Sequence, residues 1–154
     1  MRIDQKTVPT IKQSGFTLVE VIVAISILTI GILAVASMQV SAIRGNSFAA
    51  GATEGATWCG DRLERLVELP WGDPLLQDAD GDGAAGLDDT GFDNDPGTQA
   101  DADFQTTEGQ YTIHWNVADN VVTSNTRTIT VIVTWTDHGA QRRASMQRVL
   151  PRII

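Results

Sequence analysis

The chain holds a single cysteine, Cys59, among its 154 residues, so no internal disulfide can form. A lone cysteine on a helical stretch reads as a small buried apolar residue. A catalytic thiol would want a basic partner nearby, and the histidines, His114 and His138, stand far from it in sequence. Both are read as structural or exposed. Proline is missing from Pro9 to Pro70, so nothing of that kind breaks a helix there. Lysine and arginine are missing between Arg65 and Arg127, while aspartates crowd the stretch from Asp73 to Asp103 and carry much of the net charge of -8. Such a field repels phosphates and attracts cations, which argues against nucleic acid as a direct partner. Arg142, Arg143, Arg148 and Arg152 form a local basic patch near the C-terminus, read as a solvated strand face. No nucleophile–base–acid set, phosphate loop or acid–base pair can be argued from the sequence, and no enzymatic activity is expected.

Charge is also missing from Val21 to Ile43. A helix of that length crosses a hydrocarbon core of ~30 Å at ~1.5 Å per residue. A polar leader, Met1 to Gly15, precedes the apolar run and carries Arg2, Lys6 and Lys12 against Asp4. Positive charge before the span and only Arg44 just after it put the N-terminus in the cytoplasm and the remaining chain outside. A secretory signal would have a shorter apolar region ending at a small-x-small cleavage site. Here Ala34-Val35-Ala36 lies inside the run, and on hydropathy alone the segment reads as a plain single-span anchor. Glu20 speaks against so plain a reading. An ionised carboxylate costs roughly 2.5 to 3.5 kcal/mol at mid-helix, less near the interface, and such a residue usually has a partner. A free α-amino group, made by cutting after Gly15 and belonging to a neighbouring helix, would serve.

Gly15-Phe16-Thr17-Leu18-Val19-Glu20 resembles the signature that opens type IV prepilins and type II secretion pseudopilins, a match extending to about Asn46. The resemblance implies cleavage between Gly15 and Phe16 by a prepilin peptidase, N-methylation of the new Phe16 amine, and a role for Glu20 in subunit docking. Major pilins usually carry a proline midway along this helix, and Ser37 stands there instead. The run Leu28–Ala34, followed by Met38-Gln39 and Ile43–Asn46, and the later stretch Ile129–Asp137 are similar to the PilV group of minor pilins. The minor pseudopilin GspI shares much of this pattern.

Beyond the span, residues Phe48 to Leu69 continue the helix, with Trp58, Leu63 and Leu66 spaced for one face. Gly45, Gly51, Gly55 and Gly60 interrupt it as flexible points or close-packing sites, and Pro70-Trp71-Gly72 ends it. Asp73 to Gly109 lacks periodicity and reads as a long loop. Within it, Asp78, Asp80, Asp82, Gly83 and Asp89 fit the spacing of a calcium loop, with carboxylates at alternate positions and glycine for the sharp turn. Aspartate replaces the usual glutamate at the last position, and no helix signal follows. Asp88, Asp93 and Asp95 are substitute ligands; magnesium suits the set less well. An acidic, solvated loop with no ion is the competing reading. Tyr111, Ile113, Trp115 and Val117 then alternate with polar residues as a half-buried strand. Ile129, Val131, Val133 and Trp135 mark a second strand, residues 137–140 a turn, and Gln141 to Leu150 a third.

The fold expected is α+β and pilin-like: a long N-terminal helix, its first half transmembrane, packed on a small antiparallel sheet. Its segments are a leader (1–15), a membrane and filament-core helix (16–43), the helix continuation (44–69), the acidic loop (70–109) and the sheet (110–154). The function expected is that of a minor pilin that joins or primes a type IV pilus, with a GspI-like pseudopilin as the alternative. A membrane-anchored calcium-binding or other ligand-binding module is the reading from a different class. The partners implied are other pilins, the prepilin peptidase, the inner membrane and a tip adhesin. The chain would sit in the inner membrane before assembly and in a surface pilus after it.

Overall fold

The computed structural model describes residues 15–93 and 101–152. All of the expected leader (1–15) but Gly15, and Asp95 among the substitute ligands, lie outside them. One helix, α1, runs from Leu18 to Val67. The described residues divide between Ile43 and Arg44 into two compact units. Throughout the first, the helix residues are exposed. Leu18, Ile30 and Met38 are 76 %, 69 % and 72 % exposed, and no charged residue follows Glu20 until Arg44.

The second unit holds the last part of α1 and a four-stranded antiparallel meander. Its strands are β1 (Phe104–Glu108), β2 (Tyr111–Asp119), β3 (Thr126–Asp137) and β4 (Ala140–Pro151), in spatial order β1-β2-β3-β4. Short connections make antiparallel neighbours of consecutive strands. His138 and Gly139 both take positive φ, 48° and 79°, between β3 and β4, as a tight two-residue hairpin requires.

The core lies between α1 and one face of the sheet. Cys59, Leu63 and Leu66 of the helix, with Leu76, meet Tyr111, Ile113, Trp115, Val117, Ile129, Val131, Val133 and Trp135. The glycines of α1 divide into two kinds. A Cβ at Gly51 would come within 2.8 Å of Trp135 Nε1, and one at Gly55 within 2.8 Å of Trp135 Cζ3, whereas Gly45 and Gly60 have open space. Gly51 and Gly55, one turn apart, form the flat floor on which the indole lies.

Two expectations are corrected. The stretch from Asp73 to Gly109 is not loop throughout. It contains β1 and two short 3-10 turns, Pro74–Leu76 and Gly83–Asp88. β1 shows little apolar alternation and forms by pairing along β2, from Phe104 opposite Trp115 to Glu108 opposite Tyr111. Nor are the inner strands half-buried. His114, Asn116, Ala118, Thr128, Thr130 and Ile132, on the face away from the core cluster, are all at most 5 % exposed. The acidic segment supplies part of that cover: Asn116 Nδ2 donates to the Asp89 carbonyl at 2.9 Å, and Asp103 N–H donates to Asn116 Oδ1 at 3.0 Å. The helix ends at Val67, with Leu69 N–H bonded to the Leu66 carbonyl just before Pro70.

Candidate functional site

Gly15, Phe16 and Glu20 stand at the start of α1. The Thr17 N–H and hydroxyl both donate to Glu20 Oε2 at 2.8 Å, and the Glu20 N–H donates to Thr17 Oγ1 at 3.3 Å. This is a reciprocal capping box, which satisfies donors that a helix start leaves unpaired. Glu20 thus has a local partner within its own chain. Both bonds that its carboxylate accepts fall on Oε2. Phe16 is 89 % exposed, and among the described residues nothing lies within 4 Å of where a Cβ on Gly15 would stand. After Glu20, as far as Ile43, the surface is uncharged on all sides and mostly apolar, with Ser26, Thr29, Ser37, Gln39 and Ser41 as its polar residues. Along it, Leu28, Gly31, Ile32, Val35, Ala36 and Gln39 line a shallow apolar groove. An apolar surface this long and continuous needs lipid or other helices around it.

Residues 11–36 match the family model for the prokaryotic N-terminal methylation motif. The match supports a type IV prepilin-like chain. A family of this kind is structural rather than enzymatic, and the motif implies pilin-family partners and processing by a prepilin peptidase. The apolar helix and the motif together fit membrane anchoring. No curated protein and no solved structure matches the chain.

The second site is the acidic segment. Carboxylate oxygens of Asp78, Asp80 and Asp103 lie within 4.8 Å of one another. Gly81 and Gly83 take φ of 80° and 62°, which lets the chain curl so that Asp78 Oδ1 accepts from Gly81 N–H at 2.8 Å and Asp80 Oδ1 from Asp82 N–H at 3.2 Å. Asp103, 8 % exposed, ties the curl to the sheet. Its Oδ1 accepts from the Ala79 and Asp80 N–H groups, and its Oδ2 accepts from Val117 N–H at 2.7 Å. Asp82 and Asp89, both in the sequence pattern, are not members of the triad, although their charges reach it. Asp82 stands at the position before the second 3-10 turn without a side-chain capping bond, its carboxylate beside Gly86, and Asp89 ends that turn. Asp88 is the last residue of the turn, and Asp93 N–H donates to Asp101 Oδ2 at 3.0 Å.

The spacing pattern does not reach Asp103, which lies far downstream of Asp78 and belongs to no local motif. Burial, reinforced by Asp80 and Asp78, pushes its carboxyl up to about 6 against the pull of its N–H bonds. Asp82 is likewise pushed up to about 6, by burial first and then by repulsion from Asp80, Asp78, Asp103 and Asp89. Protonation or a hard cation relieves such a cluster. The triad offers oxygens suited to calcium, but its own hydrogen bonds already give it a structural role in pinning the acidic segment to β2.

The remaining residues singled out from the sequence fall apart in space or into the core. Cys59 is fully buried, with Sγ 3.5 Å from the Ala144 carbonyl oxygen, and burial pushes its thiol up to about 11. That is the environment of an inert apolar residue. His114 is buried on β2, which holds its imidazole below its ordinary pKa, and His138 is an exposed turn residue. The four C-terminal arginines are not one patch. Arg142 and Arg143 pair with Trp135 and Thr134 near the hairpin, and Arg148 pairs with Ile129 toward the far end of β4, with Arg152 beyond.

Proposed function

We propose that the chain is a minor pilin: it is cleaved after Gly15 and inserts its N-terminal helix among those of other pilins in a type IV pilus. The observation that carries this is the contrast along α1. The helix begins with the methylation motif and a glutamate, leaves its apolar first unit uncovered within the chain, and then buries Gly55, Cys59, Leu63 and Leu66. One half is built to be covered by its own domain, the other by lipid and then by neighbours. The helix runs without proline from Leu18 to Val67, which separates it from the usual major-pilin pattern and favours a minor role.

The test is the intact mass of protein purified from membranes that contain a working prepilin peptidase. Wild type should begin at a methylated Phe16. The Gly15→Val variant should retain Met1, because a β-branched side chain does not fit where the peptidase requires a small one. A wild-type species still beginning at Met1 would overturn the reading. Co-purification with assembled pili or with a type II secretion machine decides between pilus and secretion pseudopilus. Adjacent genes separate the two as well: pilus assembly genes and a large adhesin in one case, secretion genes in the other.

A further inference from the structure

Arg44 follows directly on Ile43, the last residue of the uncharged apolar run. If that run spans a bilayer, Arg44 stands within a turn of the lipid headgroups, whatever the orientation of the domain. It also begins a built surface. Arg44 and Phe48 of the helix, with Asp137, His138, Ala140 and Arg142 of the β3–β4 hairpin, line a cleft of about 640 Å³. Ser47 Oγ donates to Asp137 Oδ1 at 2.9 Å, which fastens the hairpin to the helix. The Arg142 guanidinium lies 5.0 Å from the centre of the Phe48 ring, a cation–π contact that holds it on the cleft wall. Phe48 itself remains 44 % exposed.

The cleft keeps a net positive charge, two arginines against the one carboxylate of Asp137. Asp137 is engaged by Ser47 and lies 3.7 Å from His138 Nε2. Among the described residues neither Arg44 nor Arg142 forms an ion pair. Part of the acidic segment returns to this end of the sheet, where Thr90 lines a pocket with Thr134, Gln141, Arg142 and Arg143. The positive charge of the cleft is that of Arg44 and Arg142 set against Asp137.

We propose that this cleft binds the phosphate of an anionic phospholipid headgroup at the surface of the bilayer that the apolar helix spans. Two arginines supply the charge-assisted bonds, and Phe48 supplies an apolar contact at the headgroup boundary. The proposal rests on the membrane-anchored reading of the first unit. It makes the domain lean on its own membrane before assembly, held by a contact that extraction into a filament must break.

The test uses the full chain in vesicles of phosphatidylcholine alone and of phosphatidylcholine with phosphatidylglycerol. A fluorophore on Gln141→Cys labels the hairpin, since Cys59 is fully buried. Quenching by lipids that carry a nitroxide on the headgroup reports contact. Quenching should be stronger with phosphatidylglycerol and weaken with salt. Each arginine near an anionic surface shifts such an equilibrium about fivefold, so Arg44→Gln with Arg142→Gln should weaken contact roughly 25-fold. Arg148→Gln, the same change of charge at the far end of β4, should leave it unaltered. Equal quenching in both vesicles, or quenching indifferent to the double substitution, overturns the proposal. So does a double variant that keeps its lipid contact but no longer co-purifies with other pilin subunits, which would make the cleft a protein interface. Flotation with phosphatidylcholine vesicles tests anchoring separately; a chain that does not float refutes the anchored reading and the proposal with it.

Discussion

Gly55→Ala should destabilise the second unit, although glycine is a poor helix residue and alanine the best one. The added methyl would lie 2.8 Å from Trp135 Cζ3 and 3.3 Å from Cη2. Trp135 cannot move aside cheaply: it is 5 % exposed, and its ring centre lies 5.7 Å from that of Tyr111. Overpacking of this kind costs about 1 to 3 kcal/mol, and relief of the glycine penalty returns up to about 1 kcal/mol. With that relief in full the net loss against wild type is about 0 to 2 kcal/mol. Against a glycine-to-alanine change without the clash it is the whole of about 1 to 3 kcal/mol, or roughly 3 to 15 °C in Tm for a unit of this size. Gly60→Ala is the matched control, since a Cβ there meets nothing. It keeps the helix gain without the clash and should melt at or above wild type. Thermal unfolding of the full chain in detergent, followed by near-ultraviolet circular dichroism of the tryptophans, measures both. If Gly55→Ala melts as high as Gly60→Ala, the indole is not seated on the helix backbone and the reasoning fails.

Other expectations test other parts of the molecule. Glu20→Gln keeps an acceptor for the Thr17 capping box but removes the charge, so it should lose incorporation into pilin assemblies as fully as Glu20→Ala. A glutamine variant that co-purifies like wild type would reduce Glu20 to a helix cap. Arg127, 6 % exposed, forms an ion pair with Asp119 at 2.7 Å, bonds the Trp71 carbonyl at 2.8 Å and lies over the Trp71 ring. Arg127→Ala should cost about 1 to 3 kcal/mol, readable as a lower denaturation midpoint; an unchanged midpoint would mean that Trp71 holds its place without it. Cys59 should stay unreactive to a thiol reagent in the folded chain and react fully in denaturant; rapid labelling under native conditions would contradict its burial. The raised carboxyls of Asp82 and Asp103 disfavour charge in the folded state. The stability they allow is complete below the ordinary carboxylate range and lost as pH rises through about 6. In chelator, Tm should fall across that window, and calcium should offset the fall more than magnesium does. Equal melting in calcium, magnesium and chelator would leave the triad a purely structural anchor.

The long helix and the meander were legible in the sequence because both are written in local periods. Uncharged residues from Val21 to Ile43, then a 3.6-residue spacing through Leu63 and Leu66, specify the helix. Two-residue alternation through Tyr111–Val117 and Ile129–Trp135 specifies β2, β3 and their core face. The start of the candidate site was equally plain, since Gly15, Phe16 and Glu20 are contiguous with the helix they begin. β1 escaped because an edge strand needs only a partner's free hydrogen-bonding groups, and Gln105-Thr106-Thr107 carries no apolar rhythm of its own.

Burial of the second sheet face escaped for a different reason. His114, Asn116, Thr128 and Thr130 are polar at alternate positions, a pattern that normally marks the solvent side of a strand. Polar groups are buried at small cost when they find partners, and here some partners come from distant segments. Asn116 bonds Asp89 and Asp103, and Thr130 Oγ1 accepts from Gln147 Nε2 at 3.1 Å. The aspartates that look from composition like a solvated loop therefore include two partners of that face, Asp89 and Asp103, both bonded to Asn116. The same long-range pairing recruits Asp103 to Asp78 and Asp80 in place of the residues nearest in sequence. A spacing rule assumes that one loop supplies every ligand. Where the strand face beneath supplies an anchor instead, the cluster that forms holds Asp78 and Asp80 together with Asp103, which no local spacing reaches.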